Sequence, residues 1–180
     1  IAHAKGTLVN ELAVVILDRP RNEKYIANCR TCGARLKLIT DGDVAAGLST
    51  ALDGTGVDVL MGIGGSPEAV ITAAALKCMG GEMQCRLWPR DEAEKQYALE
   101  MGYQLNHTLG LDDLVHSQNV FFSATGITDG ELLRGVHYIS GGATTESLVM
   151  RSRSGTIRRI QSTHRWDKLT KLSSVEYVSD

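Results

Sequence analysis

Three polar clusters each stand directly after an apolar run, and their residue types suit a small anionic ligand. The first is Asp18-Arg19-Pro20-Arg21, which follows Leu12 to Leu17. Two guanidinium groups beside a proline offer planar, bidentate donors on a stiffened backbone, a combination suited to phosphate. An exposed arginine pair in a soluble loop is the plainer alternative. The second cluster is Asp41-Gly42-Asp43, after Ile39. Its glycine permits a sharp turn that keeps both carboxylates near one point, where they could hold hydroxyl groups or a hard cation. A simple helix cap by Asp43 is the competing reading.

The third cluster is Gly64-Gly65-Ser66-Pro67-Glu68, after Val57 to Met61. Ser66 is expected as the N-cap and Pro67 as the first helical residue, so the glycine turn brings backbone N–H groups close to whatever lies above the strand end. Such a helix start favours an anion by about 0.3–1 kcal/mol at exposed sites. Glu68 changes the chemistry. A carboxylate in the first turn suits the helix dipole but repels a bare phosphate, and a divalent cation between the two removes the conflict. The alternative is a first-turn acid facing water. Familiar nucleotide motifs do not account for the stretch: Pro67 stands where a dinucleotide fingerprint needs glycine, and no Gly-Lys-Ser/Thr opens the helix.

These clusters need elements that hold them together. Leu12 to Leu17 is short, continuous and rich in β-branched residues, which predicts a strand buried on both faces. Asn22 to Cys32 predicts an amphipathic helix stopped by Gly33, and Ala34 to Ile39 a second strand. A helix over Val44 to Leu52 and a strand over Val57 to Met61 follow. Pro67 to Met79 is apolar nearly all round, so that helix is expected to be buried on more than one side. A strand over Glu82 to Leu87 and a charged helix over Arg90 to Met101 complete the alternation. This order predicts an α/β fold with a mostly parallel sheet, which binds ligands at the carboxyl ends of its strands. All three clusters fall at such ends.

The last third changes character. Asn119 to Ala124, Val136 to Ser140, Thr144 to Met150 and Thr156 to Ser162 predict additional strands separated by glycine-containing turns.

Composition limits the partners. The 180 residues are 43% hydrophobic, enough for a core, and carry a net charge of −2, so no overall basic character points to nucleic acid or an acidic membrane. No apolar run approaches the roughly 18 residues of a membrane span. A basic stretch, Arg151 to Lys171, is expected to line a solvated face or a subunit contact, because the aromatic platform of a nucleic-acid binder is missing. Cys29, Cys32, Cys78 and Cys85 are too sparse for a secreted disulfide scaffold. Cys29-x-x-Cys32 lacks a second pair or histidines for zinc and falls within the predicted helix, which favours a helix face over a redox or metal site, with thiol regulation as a minor hypothesis. The chain opens without Met or a leader, as expected of a fragment or a processed product.

Taken in order, Asp18-Arg19-Pro20-Arg21, Asp41-Gly42-Asp43-Val44-Ala45, Gly62-Ile63-Gly64-Gly65-Ser66-Pro67-Glu68, Ala124-Thr125-Gly126-Ile127-Thr128-Asp129-Gly130 and Gly141-Gly142-Ala143-Thr144-Thr145-Glu146-Ser147 resemble the C-terminal half of class II fructose-1,6-bisphosphatases. The match runs from about Leu12 to about His164, which suggests a C-terminal half over 1–164 and a tail over 165–180. The resemblance implies a layered sandwich of the sugar-phosphatase, inositol-monophosphatase-like type. It also implies hydrolysis of the 1-phosphate of fructose 1,6-bisphosphate in gluconeogenesis or Calvin-cycle carbon metabolism, and in photosynthetic members also of sedoheptulose 1,7-bisphosphate. By the resemblance, Arg19, Pro20 and Arg21 contact a substrate phosphate, Asp41, Gly42 and Asp43 contact the sugar, Gly65 touches substrate, and Glu68 ligates Mg²⁺ or Mn²⁺.

The remaining metal carboxylates, and the threonine that positions the attacking water, are implied to lie in an N-terminal half absent from this chain, which alone is then expected to be inactive. Two positions depart from the pattern: Ala69 replaces an expected glycine, and Asn22 stands where histidine is common. A homodimer or homotetramer in the cytoplasm, or in the plastid stroma of a photosynthetic eukaryote, is also implied. A non-catalytic sugar-phosphate sensor or regulatory subunit is the alternative function, and an α/β nucleotide-binding domain a weaker third.

Overall fold

A computed structural model of the chain describes residues 1–172. After a short helix α1 (Ala2–Lys5), strand β1 (Ala13–Leu17) leads through a 3-10 turn into helix α2 (Glu23–Thr31). Strand β2 (Arg35–Ile39), helix α3 (Asp43–Ser49), the two-residue strand β3 (Val59–Leu60) and helix α4 (Ser66–Met79) follow. The three strands form a parallel sheet of order β2-β1-β3. The continuous apolar run of β1 explains its central place. Val14 and Ile16 point to the face covered by Ile26 and Cys29 of α2, while Val15 between them is equally buried on the other.

Helices α3 and α4 pack against each other and lie between this sheet and a second one. The second sheet is antiparallel, with β6 (Gly142–Arg151) flanked by β4 (Phe121–Thr125) and β5 (His137–Ile139) on one side and by β7 (Thr156–Arg165) on the other. Leu48 of α3, Ala75 and Cys78 of α4, and Phe122, Leu148 and Met150 of the second sheet make one buried core. The described residues thus stack as helix, parallel sheet, helix pair and antiparallel sheet, an α/β architecture with further strands at its C-terminal end.

Two expectations need correction. The sheet is not mostly parallel through a fourth strand, because Glu82 to Leu87 joins neither sheet and makes only an isolated antiparallel bridge, Cys85 to Leu109. Its side chains do alternate between half-buried and exposed from Gly81 to Arg90. Alternation reports an extended segment lying on a surface, and says nothing about whether another backbone pairs with it. Helix α4 is buried on several sides only in its second half, through Ala73, Ala75, Leu76 and Cys78, while Val70 and Ile71 remain 42% and 47% exposed.

The charged helix appears as α5 (Glu92–Glu100), capped by the Asp91 side chain, and a short α6 (Leu111–Leu114) is tied to α4 by Lys77, whose Nζ lies 2.5 Å from Asp112. A last short helix, α7 (Trp166–Leu169), follows β7. The expected tail, 165–180, therefore lies partly outside the described residues. Of the basic stretch, Arg159 pairs with Glu146, Arg165 with Asp167, and Arg151 lies 4.8 Å over the Phe121 ring, so these charges serve the sheet surface. Among the described residues no helix is long and apolar enough to cross a membrane.

Candidate functional site

In strand order β2-β1-β3 the chain leaves β1 toward one neighbour and returns to the other, a topology in which the crevice expected to take ligands lies at the carboxyl ends where the connections diverge. The three polar clusters meet there. Arg19 donates from Nη2 to the Thr40 carbonyl at 2.6 Å and from Nη1 to the Asp18 carbonyl at 3.2 Å, which clamps the loop after β1 to the loop after β2. Arg21 donates through Nε to the Ile63 carbonyl at 2.8 Å, which ties the same loop to the turn after β3. Arg21 is an exposed residue, and a guanidinium held through Nε can still offer its terminal nitrogens to an anion as a planar pair. Pro20 opens the 3-10 turn that sets the two arginines apart.

The loop after β2 closes the ring. Gly42 adopts φ +80°, a left-handed conformation that only glycine takes easily, and it caps α3. Asp43 is then the first helical residue. One of its carboxylate oxygens accepts the Val44 amide at 3.0 Å, and the other lies 3.1 Å from where a Cβ on Gly64 would stand. Asp43 is thus not the cap, a place taken by Gly42; its carboxylate stands in the first turn of α3 and faces the glycine turn. Asp41 is exposed beside them.

The turn after β3 differs in one detail from its expectation. Helix α4 begins at Ser66, with Gly65 as the N-cap and Pro67 in the first turn, so Ser66 is not the cap. Gly65 is extended, at φ −78° and ψ 152°, and has no backbone need for glycine. The need is spatial, because a Cβ there would overlap Oε2 of Glu68, whose carboxylate folds back over the helix start. The carboxylates of Asp43 and Glu68 therefore both approach the glycine pair.

Sequence reasoning passed over Asn22 as a mere departure from a pattern. The structure buries it completely and has it donate to the Leu17 carbonyl at 2.9 Å and accept the Ile63 amide at 2.8 Å. Its polar type next to a strand end, followed by a helix, was the available signal. The two later motifs fall elsewhere and brace each other. The Glu146 carboxylate accepts the Arg134 amide at 2.7 Å, and that bond, with Arg159, holds its carboxyl below the usual range. Asp129 accepts the Gly135 amide and a bond with His137, each at 2.9 Å, with the same effect on its carboxyl. Gly126 and Gly135 pack directly against backbone atoms of this loop, where a Cβ does not fit.

A metal needs more donors than the crevice assembles. Among the described residues no group of three His, Cys, Asp or Glu side chains comes together, so Glu68, with Asp43 near it, offers part of a coordination shell and not a complete one.

The fold and site define an α/β domain that gathers arginine, carboxylate and glycine-turn groups at the switch point of its parallel sheet. Residues 1–164 match the family described as bacterial fructose-1,6-bisphosphatase, glpX-encoded. The chain belongs to that family. It is 40% identical over 188 aligned positions to the class 2 fructose-1,6-bisphosphatase of Haemophilus influenzae, a match that covers 97% of this chain and 56% of that protein. It is 42% identical over 180 positions to the class 2 D-fructose 1,6-bisphosphatase/sedoheptulose 1,7-bisphosphatase of Synechococcus sp. (strain JA-3-3Ab), covering 93% of this chain and 52% of that protein. The chain thus spans about half the length of the curated relatives it matches.

Proposed function

We propose that this chain is the substrate-binding half of a metal-dependent sugar bisphosphatase, which hydrolyses the 1-phosphate of fructose 1,6-bisphosphate to fructose 6-phosphate and phosphate. The observation that carries the reading is the convergence of the three loops: the Arg21 fork, the Asp41-Gly42-Asp43 turn and the Gly65–Glu68 helix start share one crevice in a chain of this family. Arg21 holds the phosphate that does not react, with Arg19 beside it clamping the loop and adding its charge, so that binding energy orients the phosphate that does react. Asp41 and Asp43 accept hydrogen bonds from sugar hydroxyls, while Gly42 and Gly65 leave the backbone close to the ligand.

Glu68 contributes one ligand to a Mg²⁺ or Mn²⁺ site whose other ligands lie outside this chain. A divalent cation in such a site neutralises charge on the transferring phosphoryl group and lowers the pKa of a bound water. The residues that activate the water belong to the same missing part, so the reading assigns no catalytic residue to this chain. The whole protein then has the layered inositol-monophosphatase-like fold, assembles as a homodimer or homotetramer, and works in the cytoplasm or a plastid stroma, in gluconeogenic or Calvin-cycle metabolism. Activity on sedoheptulose 1,7-bisphosphate is part of the same proposal.

The incomplete donor set among the described residues is also what a non-catalytic sugar-phosphate sensor would show. Turnover separates the two. Full-length protein supplied with Mg²⁺ or Mn²⁺ is expected to release phosphate from fructose 1,6-bisphosphate; a thermal shift with the bisphosphate but no release would favour the sensor.

A further inference from the structure

Asn22 is a side chain of the crevice that is wholly buried, at 0% exposure, and both polar atoms of its amide are hydrogen-bonded. Nδ2 donates to the Leu17 carbonyl at the end of β1, and Oδ1 accepts the Ile63 amide in the turn after β3. The neighbouring Arg21 takes the Ile63 carbonyl. Both polar backbone groups of Ile63 are therefore held by consecutive side chains of the β1 loop. Gly62, at φ +147°, lies flat against the amide, and a Cβ on it would stand 3.1 Å from Oδ1. The turn after β3 is thus seated on Asn22. Two residues beyond Ile63 comes Gly65, and then Glu68.

We infer that Asn22 is a positioning residue that fixes the Arg21 fork relative to the Glu68 carboxylate. The chemistry of the site explains the residue type. One buried side chain must offer a donor to Leu17 and an acceptor to Ile63, and an amide supplies both without a charge. The side chain is wholly buried with both its polar atoms bonded to backbone, so its role runs through the turn it holds. A misplacement of about 1 Å between groups that orient a reacting phosphate is enough to cost on the order of 100-fold in rate. The catalytic meaning of this role rests on the proposed function.

The test compares Asn22→Leu, which keeps the branched shape and removes both hydrogen bonds, with Asn22→His, whose neutral ring can supply one donor and one acceptor without a charge. Both are made in the full-length protein, and exchange of the Ile63 amide is followed beside kcat and KM for fructose 1,6-bisphosphate. Asn22→Leu is expected to speed Ile63 exchange at least tenfold and to lower kcat by about 100-fold, with a smaller change in KM. Asn22→His is expected to keep Ile63 protected and to retain at least about a tenth of kcat. A folded Asn22→Leu with unchanged kcat and KM overturns the inference. Where Asn22→Leu does not fold, the histidine variant decides: a 100-fold loss of kcat with Ile63 still protected overturns it as well. If wild-type protein releases no phosphate, the functional reading fails by itself. Asn22 is then judged by inorganic phosphate binding, which Asn22→Leu weakens at least tenfold or, against the inference, leaves unchanged.

Discussion

Gly65 and Glu68 occupy adjoining space such that a side chain on the first would displace the carboxylate of the second. Because Gly65 has an extended backbone open to any residue, Gly65→Ala carries no backbone strain, and the gain of about 0.4–1 kcal/mol through the unfolded state is offset by the poorer N-cap that alanine makes. The carboxylate must move. In the full-length protein this variant is expected to melt near the wild-type temperature while phosphate release falls at least about tenfold. Unchanged turnover would detach Glu68 from the chemistry.

The two arginines have different duties. Arg19 already spends both terminal nitrogens on backbone carbonyls, whereas Arg21 is held through Nε alone. Arg21→Lys replaces a planar fork by a point charge and is expected to raise KM for the bisphosphate at least about tenfold with little change in Tm. Arg19→Lys loosens the clamp to Thr40 and should raise KM by only about threefold. Steady-state kinetics of the two variants side by side check the assignment, and the reverse order would refute it.

At the opposite, amino-terminal end of the parallel strands, Asp58 accepts the Ala13 amide at 2.7 Å and pairs with Lys5, and the Lys5 bond followed by the amide holds its carboxyl below the ordinary aspartate range. A depressed folded pKa contributes stability that is complete above the unfolded value, about 3.9, and is lost as pH falls through the folded one. Denaturant titrations from pH 6 down to pH 2 should show wild type losing stability below about pH 4, and Asp58→Asn a shallower acid limb. Parallel limbs would exclude Asp58 as a contributor.

Burial pushes the Cys29 thiol up, with Cys32 adding to the effect, and burial does the same at Cys78 and Cys85. Cys32 is exposed at the end of α2. Brief alkylation of the folded protein at neutral pH should label Cys32 well before Cys29 and Cys78, as peptide mapping would show, because burial both hides the latter two and holds their thiols protonated. Early labelling of Cys29 would mean that α2 opens.

Much of this was legible in the sequence. The continuous apolar run of β1 fixed the central strand, and glycine or proline beside each strand end marked where the loops turn. The helix start of the third cluster was legible too: Glu68 stands in the first turn of α4 and lies over the glycine turn. Pairing was not legible. Glu82 to Leu87 alternates as a strand would, yet a side-chain period carries no information on a backbone partner distant in sequence. Nor was the link between loops. Asn22 reaches a residue 41 positions away, and only the closed β2-β1-β3 sheet makes them neighbours. The cap moved from Ser66 to Gly65 because the glycine turn itself supplies the entry into α4.

The central claim is that Glu68 serves a cation at a sugar-bisphosphate crevice, and one measurement addresses it directly. Phosphate release from fructose 1,6-bisphosphate is followed against Mg²⁺ or Mn²⁺ concentration for the full-length protein and for Glu68→Gln, which keeps the shape and removes the charge. The account predicts a metal-dependent rate in wild type and a loss of at least about 100-fold in a variant that still folds. A Glu68→Gln enzyme with the wild-type rate and metal dependence would contradict it.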